Sequence, residues 1–335
     1  MAIKEIIGEI EKEVIDVTKT SFDHKDTNFV PNLQDGELTY ESGKEKRGKR
    51  IQTCVLYVDI RNSVALTEKH HTQTMGRIYT AFTKAVLKVA RYHGGHTRNI
   101  IGDRVMIVFP SNDCFTKAVD CAISINHIAK YVINKQFPGV DFKCGIGIAH
   151  GELRVIKVGI QRYGTENGEN KGLVWVGYPA NIASRLTDVA NKQMQETTFN
   201  ISFHPKNPTK LLNMFFGLKS INTLGGMPFK FDPYAPDYLD KIEQKELSKD
   251  EFIENISKLD NGNLFFKDGK IIGFTKNVKN VNFPPILMTH DVYNGFKKAN
   301  LERASIKKEL WEVQQHKIKN VSGKVFGGDI HWILN

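Results

Sequence analysis

The sequence predicts an α+β fold: a ferredoxin-like βαββαβ core, carrying an insertion and completed by C-terminal strands. Three observations point to it. Gln52–Ile60 (QTCVLYVDI) is a nearly continuous apolar, β-branched run, the pattern of a strand buried on both faces. Gly102-Asp103 separates two short apolar runs, which signals a tight hairpin. Helical and strand periodicities then follow in the order β-α-β-β-α-β-β-α.

Taken in order, the chain begins with Ile3, Ile6, Ile7, Ile10 and Val14 on one stripe of a short amphipathic helix. That stripe is expected to pack on the body or on a second subunit rather than on a membrane. Residues 21–50 are polar and punctuated by Pro31 and Gly36, so 1–50 reads as a helix and linker ahead of one domain over 51–335. After the first strand, Met75, Ile78, Phe82, Ala85 and Val89 repeat at helical spacing up to the Gly94-Gly95 stop. Strands over about 96–101 and 103–109 form the hairpin, and a helix covers about 113–135. Next come a strand from Cys144 (CGIGIAHGEL), a Gly/Asn/Glu loop at 163–172, the strand LVWV, and a helix over YPANIASRLTDVAN.

Residues of about 192–283 fit this pattern poorly. They are rich in Asn, Lys, Phe and Gly, hold one plausible helix at 248–258, and read as an insertion. From Pro285 regularity returns. ILMTHDVYNGFKKAN is a strand running into a helix, and LWEVQQHKI and KVFGGDIHWIL are expected as strands.

Composition narrows the function. A chain 40% hydrophobic and 25% charged is that of an ordinary globular protein. No apolar stretch approaches the ~18 residues of a membrane span, so a cytoplasmic location without a membrane partner is expected. Cys54, Cys114, Cys121 and Cys144 lack CxxC spacing and read as reduced buried thiols. The lone loop histidines His70, His71, His93 and His96 read as solvated. The net charge of +10 suits a polyanionic ligand. Its densest cluster, Lys44, Lys46, Arg47, Lys49 and Arg50, has no interleaved aromatics, so a solvated face or attraction of a triphosphate is expected rather than nucleic-acid binding.

The chemistry gathers at strand ends. Asp59 ends the most apolar strand and Asp103 occupies the hairpin tip, so neighbouring strands bring both carboxylates to one sheet edge. Two converging carboxylates are costly unless a cation lies between them, and Mg²⁺ or Mn²⁺ suits an all-oxygen site that also takes phosphates. Taken singly, each is an ordinary strand-end acid. The turn Asn62-Ser63-Val64 opens a helix, offering either a cap or a phosphate cradle. Asn181 and Arg185, four apart, share a helix face. An amide beside an always-charged fork suits a sugar oxygen and a pentavalent phosphorus, and a surface Arg beside a capping Asn is the plainer alternative.

These segments resemble a family. Asp59-Ile60-Arg61-Asn62-Ser63 resembles the DIRGFT/DIRGST motif of class III adenylyl and guanylyl cyclases. His93-Gly94-Gly95 with Gly102-Asp103 and VMIVF resembles their GG…GD hairpin. Gly145, Gly147 and Gly151 resemble their glycine-rich strand, with His150 replacing the usual Thr, and Asn181-Ile-Ala-Ser-Arg185 is similar to their NVASR helix. The resemblance covers about 51–192 in order, and 284–335 more loosely. It implies a homodimer with interfacial sites and two divalent cations, Mg²⁺ or Mn²⁺. Asp59, the Ile60 carbonyl and Asp103 would hold the cations, while the other chain's Asn181 orients the ribose and its Arg185 stabilises the transition state. Asn62, Ser63 and Val64 would line the phosphates, and Lys324 in the Val321–Lys324 turn would replace the family's triphosphate-binding lysine.

At the family's base-selecting positions the chain departs from both purine patterns. It has Asn99, where adenylyl cyclases carry Lys and guanylyl cyclases Glu, and Val174 next to Trp175. Asn donates and accepts, which suits a pyrimidine edge, and a Trp175 side chain in the pocket would narrow it. The closest resemblance is therefore to the bacterial pyrimidine cyclases of Pycsar anti-phage systems. It implies a uridylate or cytidylate cyclase, UTP slightly favoured, whose product alerts a separate cyclic-nucleotide-sensing effector. An adenylyl cyclase with divergent specificity residues and a catalytically inactive nucleotide-binding module remain alternatives. The sequence names no activating signal.

Overall fold

Strand β2 runs over Lys46–Ile60, six residues longer at its start than the apolar run alone indicates. In this computed structural model, which describes residues 3–162, 165–210, 223–224, 227–228, 234–258 and 264–334, the chain divides into two compact units. One comprises 1–192 with 282–335, the other 193–281.

The first unit begins with helix α1 (Ile3–Lys19) and strand β1 (Phe22–Asp26). After β2 come α2 (Ser63–Lys69), α3 (Thr72–Tyr92), β3 (His96–Ile101), β4 (Arg104–Val108) and α4 (Cys114–His127). The chain continues through a π turn over Ile128–Ile133 and the single turn α5 (Asn134–Gln136). Strands β5 (Cys144–Arg162) and β6 (Thr165–Val176) lead into α6 (Tyr178–Val189). With the C-terminal strands β14 (Ile286–Thr289), β15 (Glu312–Val313) and β16 (Val325–Gly328), the sheet has the order β15-β16-β14-β5-β2-β4-β3, with β1 alongside β2 and β6 alongside β5. The β2–β5 pairing is long and antiparallel, from Lys49 opposite Val155 to Ile60 opposite Cys144.

Strand alternation sorts the β2 side chains onto two faces. Cys54, Leu56, Val58 and Ile60 enter the core with Ile78, Phe82, Val86, Val119 and Ile123 of α3 and α4. Tyr57 and Asp59 lie on the opposite face, where α6 packs. The approach of α6 depends on Gly147: a Cβ there would stand 2.3 Å from the Ala183 carbonyl oxygen and 2.5 Å from the Thr187 nitrogen. Thr187 Oγ1 donates to the Tyr57 carbonyl at 3.1 Å, and Thr187 is fully buried. The sheet is completed by β14 (Ile286–Thr289), parallel to β5, followed by α8 (His290–Ala299), α9 (Ala304–Lys307), β15 (Glu312–Val313) and β16 (Val325–Gly328).

Several expectations are corrected. Residues 21–50 are not a linker: β1 pairs in parallel with Lys46–Arg50, and Val30 and Leu38 are buried. Backbone pairing and two anchoring aliphatics hold a segment whose composition reads as loop. The loop expected at 163–172 is largely β6, paired with β5 from Arg162↔Thr165 onward, and residues 163–164 lie outside the described residues. The helix expected over 113–135 is present as one continuous run over 114–136, with a π-helical stretch at Ile128–Ile133 inside it, and the Asn134 side chain exchanges hydrogen bonds with the backbone of Phe142. The two C-terminal strands shrink to β15 and β16 because Trp311 and Trp332 pack on the core instead of extending the ladder.

The second unit contains β7 (Gln193–Pro205), the short pair β8 (Thr223–Leu224) and β9 (Met227–Pro228), β10 (Glu243–Ser248), α7 (Lys249–Asn255), β11 (Ile256–Lys258), β12 (Leu264–Phe266) and β13 (Gly269–Asn282). The helix expected at 248–258 ends at Asn255, because Ile256–Lys258 pair with Phe266–Leu264. Ser248 and Glu251 cap it reciprocally. Its sheet runs β10-β7-β13-β12-β11 over a small core of Ile201, Phe203, Leu247 and Phe266.

Candidate active site

Asp59 and Asp103 arrive together as the strand register requires. Gly102, at φ +62°, makes the tight β3–β4 turn that holds Asp103 at the sheet edge. Burial raises the Asp103 carboxyl above its ordinary range, and the neighbouring Asp59 carboxylate raises it further. Asp103 Oδ2 is buried and makes no hydrogen bond. An orphaned carboxylate oxygen beside a second acid is a donor set that a hard cation would satisfy. No group of three His, Cys, Asp or Glu side chains able to hold a metal occurs among the described residues. Such a cation would therefore need further oxygens from a bound phosphate or from water.

Two arginines organise Asp59. Arg104 Nη2 donates to Asp59 Oδ2 at 2.8 Å and to Asp188 Oδ1 at 2.6 Å, while its Nη1 donates to Ser184 Oγ at 2.9 Å. Arg104 thus ties Asp59 to α6. Arg61, with its side chain 3% exposed, stands 3.6 Å from Asp59 Oδ2. It donates through Nε to the Ala190 carbonyl at 2.7 Å and through Nη2 to the Thr187 carbonyl, so it closes the C-terminal end of α6. Its guanidinium lies over Gly145, where any Cβ would collide with it. In the sequence Arg61 stands out only as part of a motif, and Arg104 carries no motif at all. A cation directly following the hairpin acid was the available signal.

The remaining expected residues fall into two groups. Ile60 ends β2 with its side chain in the core. Asn62 precedes α2 in the left-handed region, at φ 55°, and makes no side-chain cap, so the capping alternative for it is not realised. Ser63 stands beside Asp103 and opposes the rise in its pKa, and Val64 is exposed next to it. Asn181 and Arg185 are both exposed on α6, and no side-chain hydrogen bond or ion pair engages either among the described residues. The structure therefore brings Asp59, Asp103 and Ser63 together but leaves Asn181 and Arg185 facing outward on the same chain.

The base-selecting candidates are spread along two strands. Asn99 is exposed on β3, just beyond a bulge at Thr97/Asn99. Val174 is exposed on β6, while Trp175 is half-buried with the Arg98 guanidinium 5.8 Å from its ring centre. Of the two β6 candidates, Trp175 is the one that reaches β3. Lys324 lines a cleft of about 420 Å³ with Tyr178, Thr289, His290, Asp291, Ser322 and Gly323, next to the first turn of α6.

All four cysteines are buried and unbridged. His93 shares a hydrogen bond with Ser124 Oγ at 2.9 Å. No helix among the described residues is long and apolar enough to cross a membrane.

No family model matches the chain. The adenylyl cyclase CyaB from P. aeruginosa aligns with 84% of this chain and 94% of its own length, at 14% identity and TM-score 0.43. A uridylate cyclase of Rhodovulum sp. (strain MB263) is 23% identical over 203 residues, 58% of this chain and 78% of the relative. A uridylate cyclase of Burkholderia cepacia is 31% identical over 198 residues, 57% of this chain and 81% of the relative. With that identity over four-fifths of a curated relative, the chain belongs to the uridylate cyclase family.

Proposed function

We propose that this nucleotidyl cyclase converts a pyrimidine nucleoside triphosphate, UTP in preference to CTP, into its 3′,5′-cyclic monophosphate and pyrophosphate. The observation that carries the reading is the partly buried Asp59–Asp103 pair with its unpartnered Asp103 oxygen. The 3′-oxygen bonds to the α-phosphorus as the α-phosphorus–bridging-oxygen bond breaks, and the hydroxyl proton passes to solvent. Bound Mg²⁺ or Mn²⁺ would acidify that hydroxyl and neutralise the departing pyrophosphate. Asp59, Asp103 and the Ile60 carbonyl would hold the cations, and the Asn62–Val64 turn would face the phosphates. Arg61 and Arg104 fix the Asp59 carboxylate from behind.

Asn181 and Arg185 are exposed and unengaged among the described residues, so in this reading they serve the site of a second copy in a homodimer. There Asn181 orients the ribose and Arg185 meets the charge that develops on the phosphorus. Lys324 binds the triphosphate from its cleft beside α6. Asn99 and the Trp175 wall read the base, and the indole face limits its size. Residues 193–281 are an insertion into the catalytic domain. The naming of the relatives as uridylate cyclases supports UTP, and the cyclic nucleotide would act as an alarm in anti-phage defence through a separate effector.

The test incubates the purified protein with ATP, GTP, CTP or UTP and Mn²⁺ and identifies products by mass. Cyclic UMP is expected to dominate. Cyclic AMP alone overturns the pyrimidine reading, and no product from any nucleotide overturns the enzyme.

A further inference from the structure

Helix α1 carries an apolar seam that the chain itself leaves uncovered. None of its 17 residues is buried, and Ile3, Ile7, Ile10, Val14 and Val17 are each at least half exposed. These five lie four, three, four and three residues apart, the heptad spacing of a coiled-coil seam. The helix is tied to the body near its C-terminal end, where Glu13, Asp16 and Val17 line a small cleft with Tyr40, Glu41 and Gly159. Asp16, off the seam, accepts from Lys46 Nζ at 2.8 Å and from the Gly43 N–H at 2.8 Å. The Lys46 side chain, 4% exposed, also donates to the carbonyls of Glu41 and Lys44, at 2.6 and 3.0 Å. Lys46 is the first residue of β2, the strand that ends near Asp59. The anchor therefore fixes the end of α1 to the catalytic sheet while the seam faces solvent.

We propose that α1 pairs in parallel with α1 of a second copy of this chain, as a short two-stranded coiled coil. Charge selects both the partner and the direction. In parallel register the flanking positions bring Ile6 against the other chain's Glu11 and Glu13 against its Thr18, with no like-charge contact. An antiparallel pair centred on Ile10 would set Glu11 against Glu11. An anionic lipid surface is disfavoured, because Glu5, Glu9, Glu11, Glu13 and Asp16 outweigh Lys4, Lys12 and Lys19. A helix of 17 residues spans about 25 Å, just over two heptads, too short to pair unaided in water. The pairing thus rests on the two-chain reading of the site, which supplies the local concentration and, having two-fold symmetry, limits to two a seam whose Ile-rich positions would also suit three strands.

The test uses full-length Ile3→Cys and Val17→Cys variants under mild copper–phenanthroline oxidation, against a low background from four buried native cysteines. Each single variant is expected to form a disulfide-linked dimer. Adding Ile7→Glu and Ile10→Glu, at exposed positions, should abolish the link and raise the dimer dissociation constant at least tenfold in sedimentation. Links that form only in the Ile3→Cys/Val17→Cys double variant, links that survive the glutamates, a trimer mass, or wild-type flotation with anionic vesicles without linkage would each overturn the pairing. Cyclic UMP formation is followed in the same samples: links without product refute the cyclase reading alone, and product without links refutes the pairing alone.

Discussion

Asp59 and Asp103 meet partly buried at one sheet edge, Asp59 gripped by Arg61 and Arg104, whereas Asn181 and Arg185 stand exposed on α6 with no side-chain engagement among the described residues. Both pairs belong to one proposed site, and their surroundings differ for a physical reason. Carboxylates that must hold cations gain from fixed positions in a partly desolvated corner, where an unpaired oxygen is costly until a cation arrives. Groups that act on a nucleotide held by another chain have to project outward. In the proposed two-chain site each chain would carry one nearly finished half-site and one open half-site, and Arg104 joins the two by its hydrogen bonds to Asp59, Ser184 and Asp188.

The largest effect that could break this comparison lies on the acid side. Asp59→Ala or Asp103→Ala should lower turnover by about three orders of magnitude or more, since several kcal/mol of charge stabilisation is lost with the cations. Rates near wild type in a product assay would remove the metal assignment. Arg185→Ala should cost about 10²- to 10³-fold in kcat. Mixing Asp103→Ala with Arg185→Ala chains sharpens the point. Random pairing yields mixed dimers with one intact site, so about a quarter of wild-type activity should return. No recovery from two folded variants would place all four residues on one chain's site.

Packing gives a smaller effect. Gly147→Ala forces a Cβ to 2.3 Å from the Ala183 carbonyl, so α6 must shift. Overpacking of this kind costs about 1–3 kcal/mol, and a thermal melt should show a lowered Tm together with a loss of activity greater than the stability change explains. An unchanged melt would mean that α6 does not depend on that close approach.

The smallest effect is at the α1 anchor. The Lys46 ammonium and the Gly43 N–H hold the Asp16 carboxyl below its ordinary range. A lowered carboxyl pKa stabilises the fold above the unfolded value, and that contribution is lost as pH falls through the folded value. Proteolysis near residue 20 should therefore distinguish Asp16→Asn from wild type at neutral pH, and the difference should vanish in acid. A difference that persists in acid would show that Asp16 acts through something other than its charge.

The residues that were legible in the sequence share one property: their signals are local. QTCVLYVDI announces a buried strand by its own composition, Gly102-Asp103 announces a hairpin by two residues, and Asn181 and Arg185 share a helix face by spacing alone. The segment 21–50 misled because its structure comes from backbone pairing with β2 and from two buried aliphatics, Val30 and Leu38, neither of which leaves a periodic trace. The same limit hid the first half of β6, whose Gly- and Asn-rich sequence is strand only because β5 extends beside it.

By itself, then, the sequence determined the order of the core elements, the family, and the four residues on which the proposed chemistry rests. The tertiary structure decided how those residues are held. Arg104 reaches α6 across 84 positions of sequence and Arg61 reaches it across 129, contacts that depend on sheet register and on the absence of a Cβ at Gly145 and Gly147. Spacing along a chain encodes which face a residue occupies, but only the packed sheet sets which distant groups meet there.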